Sequence, residues 1–297
     1  MFGAVSFAPL QLAPATIAGV LYAVRAHHLG QRGKAVPVWR QSCFYGGLAV
    51  IVVSLTALGD LAGETFVAHM SEHLLIGDLA TLLLVLGLTG PLLAPLLRIH
   101  LLDPLRVLTH PLIALPLWAF DLYLWHLPAL HEAAVRHEAL HAVQHGMFIT
   151  FGVLMWMPLF GPLPKPPWFG NLAKLFYIIA VRLLGGVLGN VLLWSGTVLY
   201  PVYGEPVSDQ TTAAAIMMIE SSFVTLGLFG WLFFRAARES EERQQLLELA
   251  AARGVELSEE RAARAVSAGR GDELRRRIEA GGLTAAGHPG TKLSWDS

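Results

Sequence analysis

The sequence predicts an all-α polytopic membrane protein, a bundle of seven transmembrane helices followed by a charged, helical cytoplasmic tail. Three observations carry that expectation. Hydrophobic side chains make up 54% of the 297 residues and charged ones only 14%, against roughly 25% charged in an ordinary soluble domain. The charges crowd toward one end, with 22 in the 63 residues from Arg235 to Ser297 and 21 in the first 234. Seven apolar segments reach the about 20 residues that a hydrocarbon core of about 30 Å requires of a helix. A water-soluble globule so poor in charge could not cover its own surface, which excludes a soluble enzyme, a nucleic-acid binder and a disordered chain.

In chain order the predicted spans are 8–26, 41–59, 66–90, 109–127, 138–160, 173–200 and 211–235. Pro14 interrupts the first. The third can end near Leu88, leaving Pro91 to Leu108 along the interface. Gly90-Pro91 and the run Gly161-Pro162-Leu163-Pro164-Lys165-Pro166-Pro167 read as breaks between spans. This gives two domains, a membrane domain over 1–235 and a tail over 236–297. In the tail, residues 236–266 alternate Glu and Arg with Leu246, Leu247, Leu249, Ala250 and Ala251. The simplest reading is a solvated charged helix broken near Gly254, with docking on a partner as the alternative. The glycine-rich run after Gly281 is expected to be disordered. No internal repeat of the kind that builds secondary transporters is visible. No basic stretch precedes the first apolar run and no small-residue cleavage site follows it, so no removable signal peptide is expected.

Loop charges set the orientation. Arg25, Arg32, Lys34, Arg40, Arg98, Arg106, Lys165 and Lys174 fall in loops that share one side with the tail. The opposite loops hold Arg136 and the acids Asp60, Glu64, Glu132, Glu138, Glu205 and Asp209. That bias places the N-terminus outside and the C-terminus in the cytoplasm of a multi-pass protein of the cell membrane.

The same orientation gathers seven of the twelve histidines at the outer side. Span three begins with His69, Met70, Glu72 and His73; His126 ends span four; His131 follows; span five begins with His137, His141 and His145. At 3.6 residues per turn His69 and His73 share one helix face, as do His137, His141 and His145. A single interfacial histidine ordinarily bonds a carbonyl or a headgroup, the simpler reading of His126 and His131. Paired faces on two spans are another matter. A buried imidazole without a partner costs several kcal/mol, and polar side chains inside spans usually face a functional interior. His69, His73, His141 and His145 are therefore the predicted metal ligands, with Met70, His137 and Met217 as further candidates. Methionine is also ordinary filler in apolar helices.

Imidazole with thioether, and no thiolate, favours copper or zinc over magnesium and calcium. Cys43, the only cysteine, sits at the cytoplasmic start of span two, and alone it provides neither a disulfide nor a Cys-x-x-Cys site. Two protease-like patterns occur, His137-Glu138-Ala139-Leu140-His141 and the inverted His69-Met70-Ser71-Glu72-His73. Both are short enough to arise by chance in a histidine-rich chain. At mid-depth, Asp78, Asp121, Arg182 and Glu220 form an expected intramembrane charge cluster, since an unpaired charge there costs about 3 kcal/mol or more. Arg182 is expected to pair with Glu220 or with one of the aspartates and so lock spans six and seven. A proton or ion path is the alternative.

A seven-helix chain with His69-Met70-x-x-His73 opening one span resembles the multi-helix cytochrome c oxidase assembly factor family, the CtaG type. The likeness extends to His110-Pro111, to His141-x-x-x-His145 with its following Met-Trp-Met-Pro, and to Asp209-Gln210 before a last span containing Met217. It covers residues 1 to 235. Gln144 and Met218 depart from the expected pattern. The resemblance implies a non-enzymatic role in maturing a haem–copper terminal oxidase, whose subunits would be the partners along with the lipid bilayer, by delivering copper to an outward-facing centre. Three other readings remain open on the residues alone: a bis-His haem-binding membrane cytochrome, an intramembrane zinc metalloprotease, and a copper permease.

Overall fold

A computed structural model describes residues 9–99, 104–204 and 206–280. It is 82% helix, with no strand among the described residues. The principal helices are α1 (Pro9–Gln31), α2 (Val38–Leu58), α3 (Phe66–Gly87), α4 (Pro111–Trp125), α5 (Pro128–Arg136), α6 (Glu138–Phe160), α7 (Asn171–Trp194), α8 (Val207–Ala252), α9 (Glu259–Ser267) and α10 (Gly271–Glu279). The disorder expected after Gly281, and His100, Glu205 and His288, lie outside the described residues.

Five helices, α2, α3, α6, α7 and α8, are long and apolar enough to cross a membrane, and a sixth crosses if α4 and α5 count as one broken span. Of the seven spans expected, five or six are thus supported among the described residues. Although α1 is 23 residues long and runs unbroken through Pro14, Arg25, His27 and His28 occupy its last third. Helix α4 has 15 residues, about 22 Å at 1.5 Å per residue, which falls short of the hydrocarbon thickness. Leu127 precedes Pro128, is extended as residues before proline prefer to be, and turns the chain by 71° into α5. Among the described residues between α3 and α4 lie the short helices Gly90–Leu93, Leu96–Arg98 and Pro104–Leu108.

Packing divides the chain at Thr225. In the first unit, α1, α2 and α3 share a core in which Tyr22 stacks on Phe44 at 4.0 Å. The end of α3 is held there by side chains. Tyr22 donates to the Gly87 carbonyl at 3.0 Å, and Arg40 donates to the carbonyls of Leu86 and Leu88 at 3.0 and 2.8 Å. These satisfy acceptors that a helix C-terminus leaves open and place a cation at the negative end of its dipole.

Helix α3 widens into a π-helical segment at Leu75–Ala80. Such a bulge frees backbone carbonyls, and a bilayer offers them no water. The Thr81 hydroxyl bonds to the Gly77 carbonyl at 2.6 Å, and the Trp156 indole donates to that of Asp78 at 3.2 Å. Helix α6 reaches this segment because Gly152 has no side chain: a Cβ there would run into the Gly77 carbonyl and Thr81. The bulge therefore sets how closely α3 and α6 approach, and with it the spacing of their histidines.

The second unit begins at Leu226. Helix α8 does not stop at Arg235, where the apolar span was expected to end, but runs on to Ala252. Gly254 takes φ +64° in the turn that follows, so the helix breaks where glycine permits a left-handed residue. The tail is more than a lone solvated helix. Leu246 and Ala250 pack with Ala265, Val266, Leu274 and Ile278 into a small core, because α9 and α10 each carry an apolar stripe at helical spacing. Ser258 caps α9 by accepting from the Arg261 amide, and Arg253 donates to the Glu279 carbonyl at 3.1 Å.

Candidate metal centre

The centre lies where α3 and α6 begin. Thr65 caps α3 by accepting from the Ala68 amide, and the Asp209 carboxylate accepts from the Phe66 amide at 2.8 Å. A carboxylate from the start of α8 thus sits on the positive end of α3. Next to it in sequence, Gln210 accepts from the Leu199 amide and donates to the Leu192 carbonyl and the Ser195 hydroxyl, closing the end of α7. The Asp209-Gln210 pair belongs to the frame that holds the start of α3 in place.

On this frame Glu72 and His73 of α3 meet His141 and His145 of α6. One donor atom from each lies within 4.8 Å of the other three. His69 adjoins them, its ring 4.2 Å from that of His73 and 5.0 Å from that of His141. His131 of α5 comes within 4.7 Å of the His69 ring and shares a 2.7 Å hydrogen bond with the Tyr203 hydroxyl. Burial, with Tyr200, Asp209 and Glu72 adding to it, pushes the Tyr203 phenol well above its ordinary range, so it keeps its proton at neutral pH.

The structure brings together the four histidines expected as ligands and adds Glu72, which the sequence displayed only as part of a protease-like pattern. It also turns His131 inward, fully buried, although a loop-side histidine read as a headgroup contact. Nothing in its spacing pointed to the site, because the 71° bend between α4 and α5 is what folds it in. His137 stays out. It precedes α6 and is exposed, as is Glu138, so His137-Glu138-Ala139-Leu140-His141 does not gather at one point. Met70 is buried, and Met217 packs against the same apolar cluster.

Whether these residues suit a metal is legible in their unused atoms. His69 Nε2, both nitrogens of His73, His141 Nε2 and one oxygen of Glu72 are buried without a hydrogen-bond partner. The Gln144 side chain, also fully buried, bonds through neither its oxygen nor its nitrogen. Native proteins rarely leave so many buried polar atoms unmet. His69 Nδ1 lies 3.3 Å from the Ala62 carbonyl, which makes that nitrogen the donor and leaves the Nε2 lone pair facing the pocket. A backbone carbonyl orienting a metal-binding imidazole works in this way. The carboxylate of Glu72, 3.7 Å from His145 Nε2, supplies a negative charge among imidazoles, so the donor set fits a cation.

The mid-depth charges form a second, different site. Arg182 pairs with Asp78 at 3.1 Å and lies over the Trp156 ring at 5.6 Å. Glu220 adjoins both Asp78 and Arg182. Of the partners expected for Arg182, Glu220 or an aspartate, the ion pair takes Asp78 and so ties α3 to α7, with Glu220 of α8 beside it. Asp121 is buried one helical turn from Trp125, whose side chain adjoins its carboxylate.

Comparison with known proteins adds a lineage. The chain is 26% identical over 195 residues to uncharacterized proteins of Mycobacterium bovis and of Mycobacterium tuberculosis, a match covering 59% of this chain and 30% of each relative. It thus spans less than a third of the length of these curated relatives. No solved structure matches it. The family model of the cytochrome c oxidase caa3 assembly factors matches residues 20–239, through the helices that build the histidine pocket, and the chain belongs to that family.

Proposed function

We propose that the protein serves oxidase assembly by binding copper at Glu72, His73, His141 and His145, with His69 beside them, and passing it to a haem–copper oxidase. The observation that carries this reading is the convergence of four donor atoms within 4.8 Å of one another in a buried pocket. The positive-inside bias of the loops supports a pocket at the extracytoplasmic face of the cell membrane, with the N-terminus outside and seven passages if α1 and the bent α4–α5 pair each cross. An oxidising compartment favours imidazole and carboxylate ligands over thiols that would oxidise there. The ion is cargo, and no catalytic step is assigned to the chain.

The competing readings fit less well. The imidazole rings lie 4.1 to 6.0 Å apart along α3 and α6, a packing that favours a small ion over a macrocycle between two axial ligands. Exposure of His137 and Glu138 weakens the protease reading. Below the pocket, the Asp78–Arg182 pair and Trp156 occupy the depth that a permease would need open.

The test is copper content of full-length protein purified in detergent from copper-replete cells. About one or more equivalents are expected in the parent, with at least a tenfold loss of affinity in His73→Ala and in His141→Ala. Metal-free parent protein that takes up no copper on titration would refute the proposal, and a haem Soret band would replace it.

A further inference from the structure

Beneath the four-donor pocket lies a cavity of about 80 Å³, walled by one face of α3 and by residues of α4, α6 and α8. Met70 and His73 line it from α3, His126 from the end of α4 and Met217 from α8; Leu122 and Phe148 are among its apolar walls. The spacing explains the assembly, since Met70 and His73 are three residues apart on one helix face, and Leu122 and His126 four apart on another. His126 Nδ1 lies 2.6 Å from the Leu122 carbonyl. That nitrogen must donate, so Nε2 carries the lone pair, and Nε2 is buried with no partner. The arrangement is the one seen at His69. Both nitrogens of His73 are likewise buried and unmet.

We propose that this cavity is a second, inner metal station that takes a soft monovalent cation, Cu(I), through Met70, Met217, His126 and His73. The inference rests on the copper reading of the outer pocket and adds a distinct site to it. The four donors are neutral, and Asp78, which also borders the cavity, has its charge balanced by Arg182. A neutral, apolar-walled site penalises a divalent ion more than a monovalent one, because the cost of leaving water rises steeply with charge. Two thioethers select a soft ion. The outer pocket differs in having a carboxylate, Glu72, and no thioether among its donors. His73 belongs to both donor sets, so an ion can pass between them by exchanging ligands around one shared imidazole.

The experiment loads the full-length chain with Ag(I), a redox-inert monovalent probe, removes the excess, and counts silver per chain. X-ray absorption on the Cu(I)-loaded protein then reads sulfur ligation. A Cys43→Ser background removes the only thiol. The parent is expected to hold about two ions with sulfur in the coordination sphere, and Met70→Leu/Met217→Leu about one without sulfur. His141→Ala/His145→Ala is expected to hold about one with sulfur retained. The Leu exchange conserves volume, and Met217→Leu alone, at a half-buried position, is expected to weaken the sulfur signal in a chain that folds normally. Unchanged silver count and sulfur signal in the double Met variant overturn the inner station and leave the outer one. Loss of an ion there, with none lost in the double His variant, overturns the outer reading and leaves the inner. A parent that binds no silver overturns both.

Discussion

Two polar sites lie on α3 about one turn apart, and they differ in how their atoms are matched. At the bulge, Asp78 has Arg182, its carbonyl has the Trp156 indole, and the Gly77 carbonyl has Thr81. In the pocket above, His69, His73 and His141 hold buried nitrogens that bond to nothing. Both sites carry the cost of burying polar groups in an apolar bundle. The lower one recovers part of it through the Arg182–Asp78 pair, although Asp78 Oδ1 and Arg182 Nε and Nη2 stay unmet; in the pocket His73 recovers none. Internal matching marks a structural joint, and unmatched donors mark a place for something the chain does not supply.

The contrast can be broken by mutation. Arg182→Ala strands the Asp78 carboxylate beside Glu220, and losing one partner of a buried pair costs about 3–5 kcal/mol. The expected result is a chain that fails to accumulate as monodisperse protein in detergent. His73→Ala removes atoms that were never matched, so metal-free stability should fall by about 1 kcal/mol or less, read from thermal unfolding with chelator present. A drop as large as that of Arg182→Ala would erase the distinction.

A milder change sharpens it. Gly152→Ala pushes a methyl group against the bulge, at about 1–3 kcal/mol for overpacking. Because the same contact spaces α3 from α6, copper affinity should fall along with stability, measured by titration and unfolding on one preparation. Asp209→Asn is the smallest. It weakens the charge on the Phe66 amide and should cost about 0.3–1 kcal/mol, with metal affinity falling less than in Gly152→Ala.

Much of this was readable from the chain. Apolar runs located α2, α3, α6 and α7 to within a few residues, since length and hydrophobicity are what a bilayer selects. The i, i+4 spacing put His69 with His73 and His141 with His145, because a helix enforces that geometry. The short α4 was harder to see: nothing in the run up to His126 shows that Pro128 turns the chain before it spans the bilayer. That turn is also what carries His131 inward. Glu72 was visible yet unassigned, because a carboxylate in the second turn of a helix is ordinary until its burial is known. The small core of the tail escaped notice, as Ala262, Ala265 and Ile278 are sparse among charges and gain meaning only when α9 and α10 fold back on each other.

The bond from Asp209 to the Phe66 amide joins residues 143 positions apart. Ribosomes deliver chains from the N-terminus, so the imidazoles of α3 and α6 emerge well before the carboxylate that steadies them and before the Tyr203 hydroxyl that engages His131. During synthesis the binding groups exist first as loose, accessible side chains. Their enclosure waits for the last apolar helix to arrive, and a truncated product would display the ligands without ever closing around a cargo.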